Sequence, residues 1–238
     1  MGTVFSFDVR YPSETSWRLD AESLAPVLAR LHHLDAVFST YQPDSAISRL
    51  ARGEVSVADC PPEVAEVLRL CENAALQTGG WFSATAGGTL DPSGVVKGWA
   101  VQQASEMLSA AGNPSHIVNG GGDIQSAGGP FRFGLSDPQD GHRLLTVVAG
   151  YDLAVATSGC AERGPHILDP FTRRPATALR SVSVVGSSLT QADIYATAAF
   201  AMGAAAREWL RALDGYEALV VGADGTSWQT PGLPVAEH

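Results

Sequence analysis

The chain has 238 residues, 45% of them hydrophobic and 17% charged, enough apolar mass for a substantial core in one to two domains. Twenty-five acidic against 15 basic residues leave a formal charge of −10, which excludes a general electrostatic grip on DNA or RNA, because such binding needs clustered Lys and Arg. Fourteen of the bases are Arg and one is Lys, leaving Lys97 either a by-product of codon usage or a residue with a specific task.

In chain order, the alternation of Phe5, Phe7 and Val9 predicts a strand over 3–11. A helix follows over about 20–37, with a stripe of Leu24, Leu28, Leu31, Leu34 and Phe38 and with Pro26 in its first turn. A turn-rich stretch leads to a short helical pattern around Ile47 and Leu50. The clearest helix is 62–78, opened by Pro62, carrying Val64, Val67, Leu68 and Cys71 on one face and stopped by Gly79 and Gly80. The Gly-rich segment 79–98 precedes a helix of about 97–111. HIVNGGGDIQSAGG, FRFGL, LLTVVAG and LAVATSG read as four β-like runs of a meandering sheet. SVSVVG is a further strand. Ser188 with Gln191 is a capping-box signature for a helix over 189–202, and a helix (205–213) and a strand pair (216–222, 226–230) close the chain. Helices and strands alternate without a βαβ rhythm, so the fold class is α+β, in one compact unit or two tightly packed lobes.

Cys60, Cys71 and Cys160 form no Cys-x-x-Cys pair, which speaks against a thiolate zinc site or a disulfide framework and for a reducing compartment. No signal-peptide pattern precedes the first strand, and the apolar stretch 195–206 is too short to span a bilayer. The expectation is a cytoplasmic protein without a membrane anchor.

Three segments carry chemistry. DPSGVVKGWA (91–100) sets Lys97 at a helix N-terminus, either an anion site suited to phosphate or a plain turn with the lysine in solvent. In QADIYATAAF (191–200), Asp193 and Thr197 share a helix face in a run otherwise apolar. A carboxylate there either helps hold a hard cation such as Mg²⁺ or complements the helix dipole. In ATSGCAERGPHILDP (156–170), His166 is either a proton acceptor or a hydrogen-bonded loop residue. Rossmann, P-loop and nucleophile-elbow patterns are all missing from the Gly-rich and Ser-containing segments.

Taken in order, MGT (1–3), FSTYQPDSAISRL (38–50), WFSATAGGTLDPSGVVKGWAV (81–101), HIVNGGGDI (116–124), FGLSDP (133–138), ATSG (156–159), HILDPFTRRPA (166–176) and ADIYATAAFAMG (192–203) make the chain resemble the ApbE-type FAD:protein FMN transferases nearly end to end. The resemblance implies a T-fold-related architecture of mixed and antiparallel sheets with packed helices and an FAD cleft between two lobes. It also implies Mg²⁺-dependent cleavage of FAD, attachment of FMN through a phosphoester to a Thr or Ser of an acceptor protein, and release of AMP. By the same resemblance, the Gly94 carbonyl, Asp193 and Thr197 hold the metal. Met1, Tyr41, Trp81, Phe82, Ser83, Asp91, Lys97, His166, Ile167 and Asp169 contact FAD. His166 and Lys97 act in catalysis, the first on the acceptor hydroxyl and the second on the pyrophosphate.

The chain departs from the family pattern at three places. Phe82-Ser83 stands where a Phe-Asp pair is usual, Asn119 where a small apolar residue is usual, and Thr172-Arg173 where Thr-Gly is usual. Ser83-Ala84-Thr85 looks superficially like a flavinylation acceptor but falls inside the enzyme's own motif. The same metal and pyrophosphate geometry also serves a Mg²⁺-dependent FAD pyrophosphatase, with water as nucleophile, and the Ser83 departure suits a non-enzymatic FAD-binding module.

Overall fold

The computed structural model describes residues 3–10, 21–160, 164 and 166–237. Strand β1 (Phe5–Val9) is followed by helices α1 (Ala21–Phe38), α2 (Ala46–Ala51) and α3 (Pro62–Gln77), then by α4 (Ser93–Ala110). Five strands come next: β2 (His116–Gly120), β3 (Asp123–Ala127), β4 (Phe131–Asp137), β5 (Asp140–Gly150) and β6 (Ala154–Gly159). The chain closes with β7 (Leu179–Gly186), α5 (Leu189–Met202), α6 (Ala206–Arg211), β8 (Glu217–Gly222) and β9 (Ser227–Gln229). The α+β expectation is met.

Seven strands form one antiparallel sheet in the order β1-β2-β3-β6-β7-β8-β9, and β4 and β5 leave it to form a separate two-stranded ribbon. Side-chain alternation gives the sheet two apolar faces. Ala154, Ala156, Val182, Val184, Ala218 and Val220 pack with the helices. Val155, Val185 and Leu219 pack on the other side against Phe131, Phe133, Leu135 and Val148 of the ribbon, joined by Leu233. The ribbon is therefore a second layer over the sheet, and its outer strand is bound by the C-terminal segment through Ala149 N–H to the Pro234 carbonyl (2.8 Å) and Ala236 N–H to the Val147 carbonyl (2.8 Å).

Helices α4 and α5 are buried on nearly all sides and form the middle of the helical layer. Their close approach depends on Gly98, where a Cβ would lie 2.8 Å from both Asp193 Cβ and the Leu189 carbonyl. Ser188 caps α5, accepting from Gln191 N–H at 3.4 Å. The Gln191 side chain does not reach back as a capping box requires. It donates to Gln77 instead (3.1 Å), while Gln102 of α4 accepts from the Ser188 hydroxyl (2.8 Å) and from Thr190 N–H (3.1 Å).

Three expectations need correction. The α1 stripe runs through Val27, Leu31, Leu34 and Phe38, with Leu28 39% exposed, and Pro26 sits in the second turn. The helix expected over 97–111 starts at Ser93, because Asp91 Oδ1 accepts from Ser93 N–H (3.0 Å) behind Pro92 and turns the DPSG segment into a helix start. Lys97 therefore stands in the second turn of α4, not at its N-terminus. Finally, the run HIVNGGGDIQSAGG is two strands, folded back at Gly121 and Gly122.

Candidate functional site

A cleft of about 800 Å³, within the size range of small-molecule sites, opens where α4, α5, the ends of β6 and β7 and the β4–β5 ribbon meet. Segments far apart in sequence supply its wall: the 81–91 loop, the glycine turn before β3, the strand ends at Thr157–Gly159 and Arg180–Ser183, and the loop at 166–168. Trp81, Phe82, Ser83, Asp91, Gly94, Lys97, His166, Ile167, Asp193 and Thr197 all line it, so most of the residues singled out in the sequence converge here. Tyr41 (88% exposed) and Asp169 are not among the lining residues, and Met1 lies outside the described residues, as do Glu162 and Arg163.

The helix seam is the centre of the site. Asp193 is 3% exposed, and its Oδ2 accepts from Gly98 N–H across the seam (3.0 Å). Thr197 follows one turn later on the same face of α5, its hydroxyl 3.2 Å from that of Ser158 on β6. Gly94 faces Thr197 from one turn before Gly98, since a Cβ on it would lie 3.7 Å from Thr197 Cγ2 and 3.0 Å from the Phe82 ring. Gly94, a buried carboxylate and a hydroxyl thus gather along one seam. The two side chains offer oxygen donors only, a chemistry that fits Mg²⁺ rather than Zn²⁺. No group of three or more His, Cys, Asp or Glu suited to a metal occurs among the described residues.

Lys97 Nζ lies 2.6 Å from Asp123 Oδ2, with the two side chains 22% and 1% exposed. Asp123 Oδ1 also accepts from Thr157 N–H (3.0 Å), so the carboxylate ties the start of β3 to β6 and to the helix layer. Sequence reasoning missed Asp123 although it ends the NGGGD run. Its place is prepared by Gly121, at φ 61°, where a Cβ would overlap the Thr3 hydroxyl and where the N–H donates to the Val4 carbonyl (3.1 Å). The ribbon residues Phe133–Pro138 were also not assigned to the site, yet they roof it.

His166 is exposed at the cleft, its Nδ1 3.0 Å from the Gly164 carbonyl. A carbonyl only accepts, so in the neutral ring Nδ1 carries the proton and Nε2 is the basic nitrogen. Asp169 closes the turn behind it. Its Oδ1 accepts from Phe171 N–H (2.8 Å) and Thr172 N–H (3.2 Å), and these bonds outweigh the cost of burial and hold the carboxyl below its ordinary range. Trp81 meets Phe171 of that turn edge to face at 4.8 Å, joining the 81–91 loop to the His166 loop.

Charge in the cleft is unbalanced. Asp91, Asp123, Asp137 and Asp193 contribute four carboxylates, against Lys97 and Arg180 among the described lining residues. Cys71, on the core-facing side of α3, is held as a thiol: burial pushes it up to about 12.

The ApbE family model matches residues 1–90 and 84–220 of the chain. A protein of Treponema pallidum named FAD:protein FMN transferase is 34% identical over 143 residues, 50% of this chain and 40% of that protein. One of Rhodobacter capsulatus with the same name is 30% identical over 213 residues, 79% of this chain and 40% of its own length. The chain thus matches about two fifths of the length of these relatives. The solved structure of the flavin transferase ApbE from Vibrio cholerae superimposes with a TM-score of 0.82 at 21% identity, covering 98% of this chain and 95% of that one. That likeness establishes the shared fold.

Proposed function

The chain belongs to the ApbE family, and from that premise we propose that it is a Mg²⁺-dependent FAD:protein FMN transferase. The observation that carries the proposal is the convergence of Gly94, Lys97, Asp193, Thr197 and His166 on one cleft. The relatives named FAD:protein FMN transferase supply the substrate class.

The reaction exchanges the phosphoanhydride of FAD for a phosphoester on the acceptor. The acceptor's Thr or Ser hydroxyl oxygen bonds to the FMN phosphorus, the bond from that phosphorus to the bridging oxygen breaks, and AMP leaves with the bridging oxygen. His166 takes the hydroxyl proton on Nε2, the nitrogen left basic by the bond from Nδ1 to Gly164. Lys97 places an ammonium beside the pyrophosphate, oriented by Asp123. Most of the remaining work is positioning: Phe82 is 3% exposed and packs on Gly94, fixing the floor against which the flavin end would lie.

Electrostatics favour a divalent cation. A pyrophosphate carries negative charge into a cleft where four carboxylates face two fixed cations, and the repulsion is large at the reduced dielectric of a cleft. Gly94, Asp193 and Thr197 would hold the ion. Bound there, Mg²⁺ would draw charge from the phosphate oxygens as the bridging bond breaks.

The test is incubation of the purified protein with FAD, Mg²⁺ and a Thr-containing candidate acceptor, following acceptor mass and AMP. An FMN adduct with AMP supports the transferase. FMN and AMP without adduct point to a pyrophosphatase, and tight FAD binding without AMP to a binding module. No described helix is long and apolar enough to cross a membrane.

A further inference from the structure

We propose that Arg180 binds a phosphate group of the dinucleotide substrate, with the Ser181 hydroxyl as a second donor on the same wall. This rests on the reading of the cleft as an FAD site. Leu179 of β7 faces Gly222 while Ser181 faces Val221, so Arg180 is the extra residue of a β-bulge. A bulge re-aims the side chain of the added residue, and here that side chain lines the cleft.

Three observations give the residue a ligand-binding character. Arg180 Nε donates to the Ala223 carbonyl (2.9 Å), which fixes one edge of the guanidinium, while its two Nη groups donate to no described residue. The charge of Arg180 helps lower the Asp224 pKa, as the smallest of several causes. By contrast, the other fixed cation of the cleft, Lys97, is already paired with Asp123. Ser181, 7% exposed, also lines the cleft, and its hydroxyl bonds to no described residue. A hydroxyl without a described protein partner and a guanidinium whose two Nη groups donate to no described residue belong to neighbouring residues that line the same cavity, an arrangement that suits an anion with several acceptor oxygens. Phosphate meets that description, and the bidentate fork of Arg fits it better than an ammonium would.

The test is the affinity for FAD of wild type, Arg180→Met, Arg180→Lys and Ser181→Ala, measured by flavin fluorescence at fixed Mg²⁺ over a range of NaCl concentrations. Arg180→Met is expected to raise the Kd roughly tenfold or more and to make its salt dependence shallower, with the flavin-free melting temperature unchanged. Arg180→Lys should retain the wild-type salt slope with intermediate affinity. Ser181→Ala should weaken FAD several-fold and supplies the test should Arg180→Met not fold. An unchanged Kd in Arg180→Met, or a raised Kd with the wild-type salt slope, overturns the assignment. So does an unchanged FAD affinity with loss of transfer only, which would give Arg180 to the acceptor protein. Failure of the wild type to bind FAD would instead overturn the reading of the cleft itself, and this inference with it.

Discussion

The Lys97 ammonium sits 2.6 Å from the Asp123 carboxylate, joining the second turn of α4 to the first residue of β3 at the edge of the cleft. Asp123 is 1% exposed, so removing the lysine alone leaves a buried carboxylate without its cation. We expect Lys97→Met to lose about 3 kcal/mol of stability in urea unfolding. Lys97→Met combined with Asp123→Asn should recover most of that loss, yet remain inactive in transfer. Recovery of activity in the double variant would show that the ammonium serves the fold alone.

Asp193 separates metal binding from packing. Asp193→Asn keeps the volume of the side chain and an oxygen that can accept from Gly98 N–H, but removes the charge that would attract the proposed divalent ion. Transfer should fall at least about 100-fold, with the thermal midpoint close to wild type. Undiminished Mg²⁺-dependent turnover in this variant would refute the assignment of Gly94, Asp193 and Thr197 to the metal.

Arg173 has φ 57°, in the left-handed region where a side chain is strained. This is the position at which the family pattern usually has Gly. Its N–H donates to the Asp169 carbonyl (2.7 Å), so the turn cannot relax without breaking the loop that carries His166. Arg173→Gly should therefore stabilise the protein by about 1 kcal/mol, read as a higher denaturant midpoint at unchanged slope. A loss of stability would mean that the arginine makes compensating contacts in solution.

Much of this was legible in the sequence, and the misses have physical causes. Helix α5 was delimited correctly because Ser188 caps it and Gly203 ends it. The start of α4 was misplaced because Pro92, Ser93 and Gly94 look like a turn by local preference, whereas Asp91 Oδ1 accepts from Ser93 N–H and the Pro92 carbonyl accepts from Val95 N–H and Val96 N–H, starting the helix at Ser93. Asp123 was overlooked because a carboxylate after three glycines looks like part of a turn, while the lysine that explains it lies on another element. Arg180 was overlooked because strand alternation carries no sign of a bulge. The ribbon's departure from the sheet was equally hidden, since β4 and β5 have the same alternation whichever strands they pair with.

A pH dependence of stability follows from His116, which lies outside the cleft and is fully buried at 0% exposure. Its Nδ1–H donates to the Asn113 carbonyl (2.7 Å) and its Nε2 accepts from the Ser105 hydroxyl (2.8 Å), a neutral ring in a closed set of bonds. Burial lowers its pKa against the opposing effect of those bonds. Below about pH 6.5 the unfolded chain then binds a proton that the folded one does not, so stability is lost as pH falls, until the lowered folded pKa is reached. The loss is at most about 1.4 kcal/mol per pH unit. His116→Asn should be less stable at pH 7.5 and should show a flatter profile between pH 6.5 and 5. Parallel profiles for the two proteins would remove His116 as the source.

The most direct measurement is the intact mass of an acceptor protein after incubation with this protein, FAD and Mg²⁺, with AMP quantified in the same samples. The expected result is an acceptor heavier by one FMN phosphoester, one AMP released per adduct, and neither product with Asp193→Asn. FAD left intact, or FAD split to FMN and AMP with the acceptor mass unchanged, would contradict the assignment of this cleft to FMN transfer.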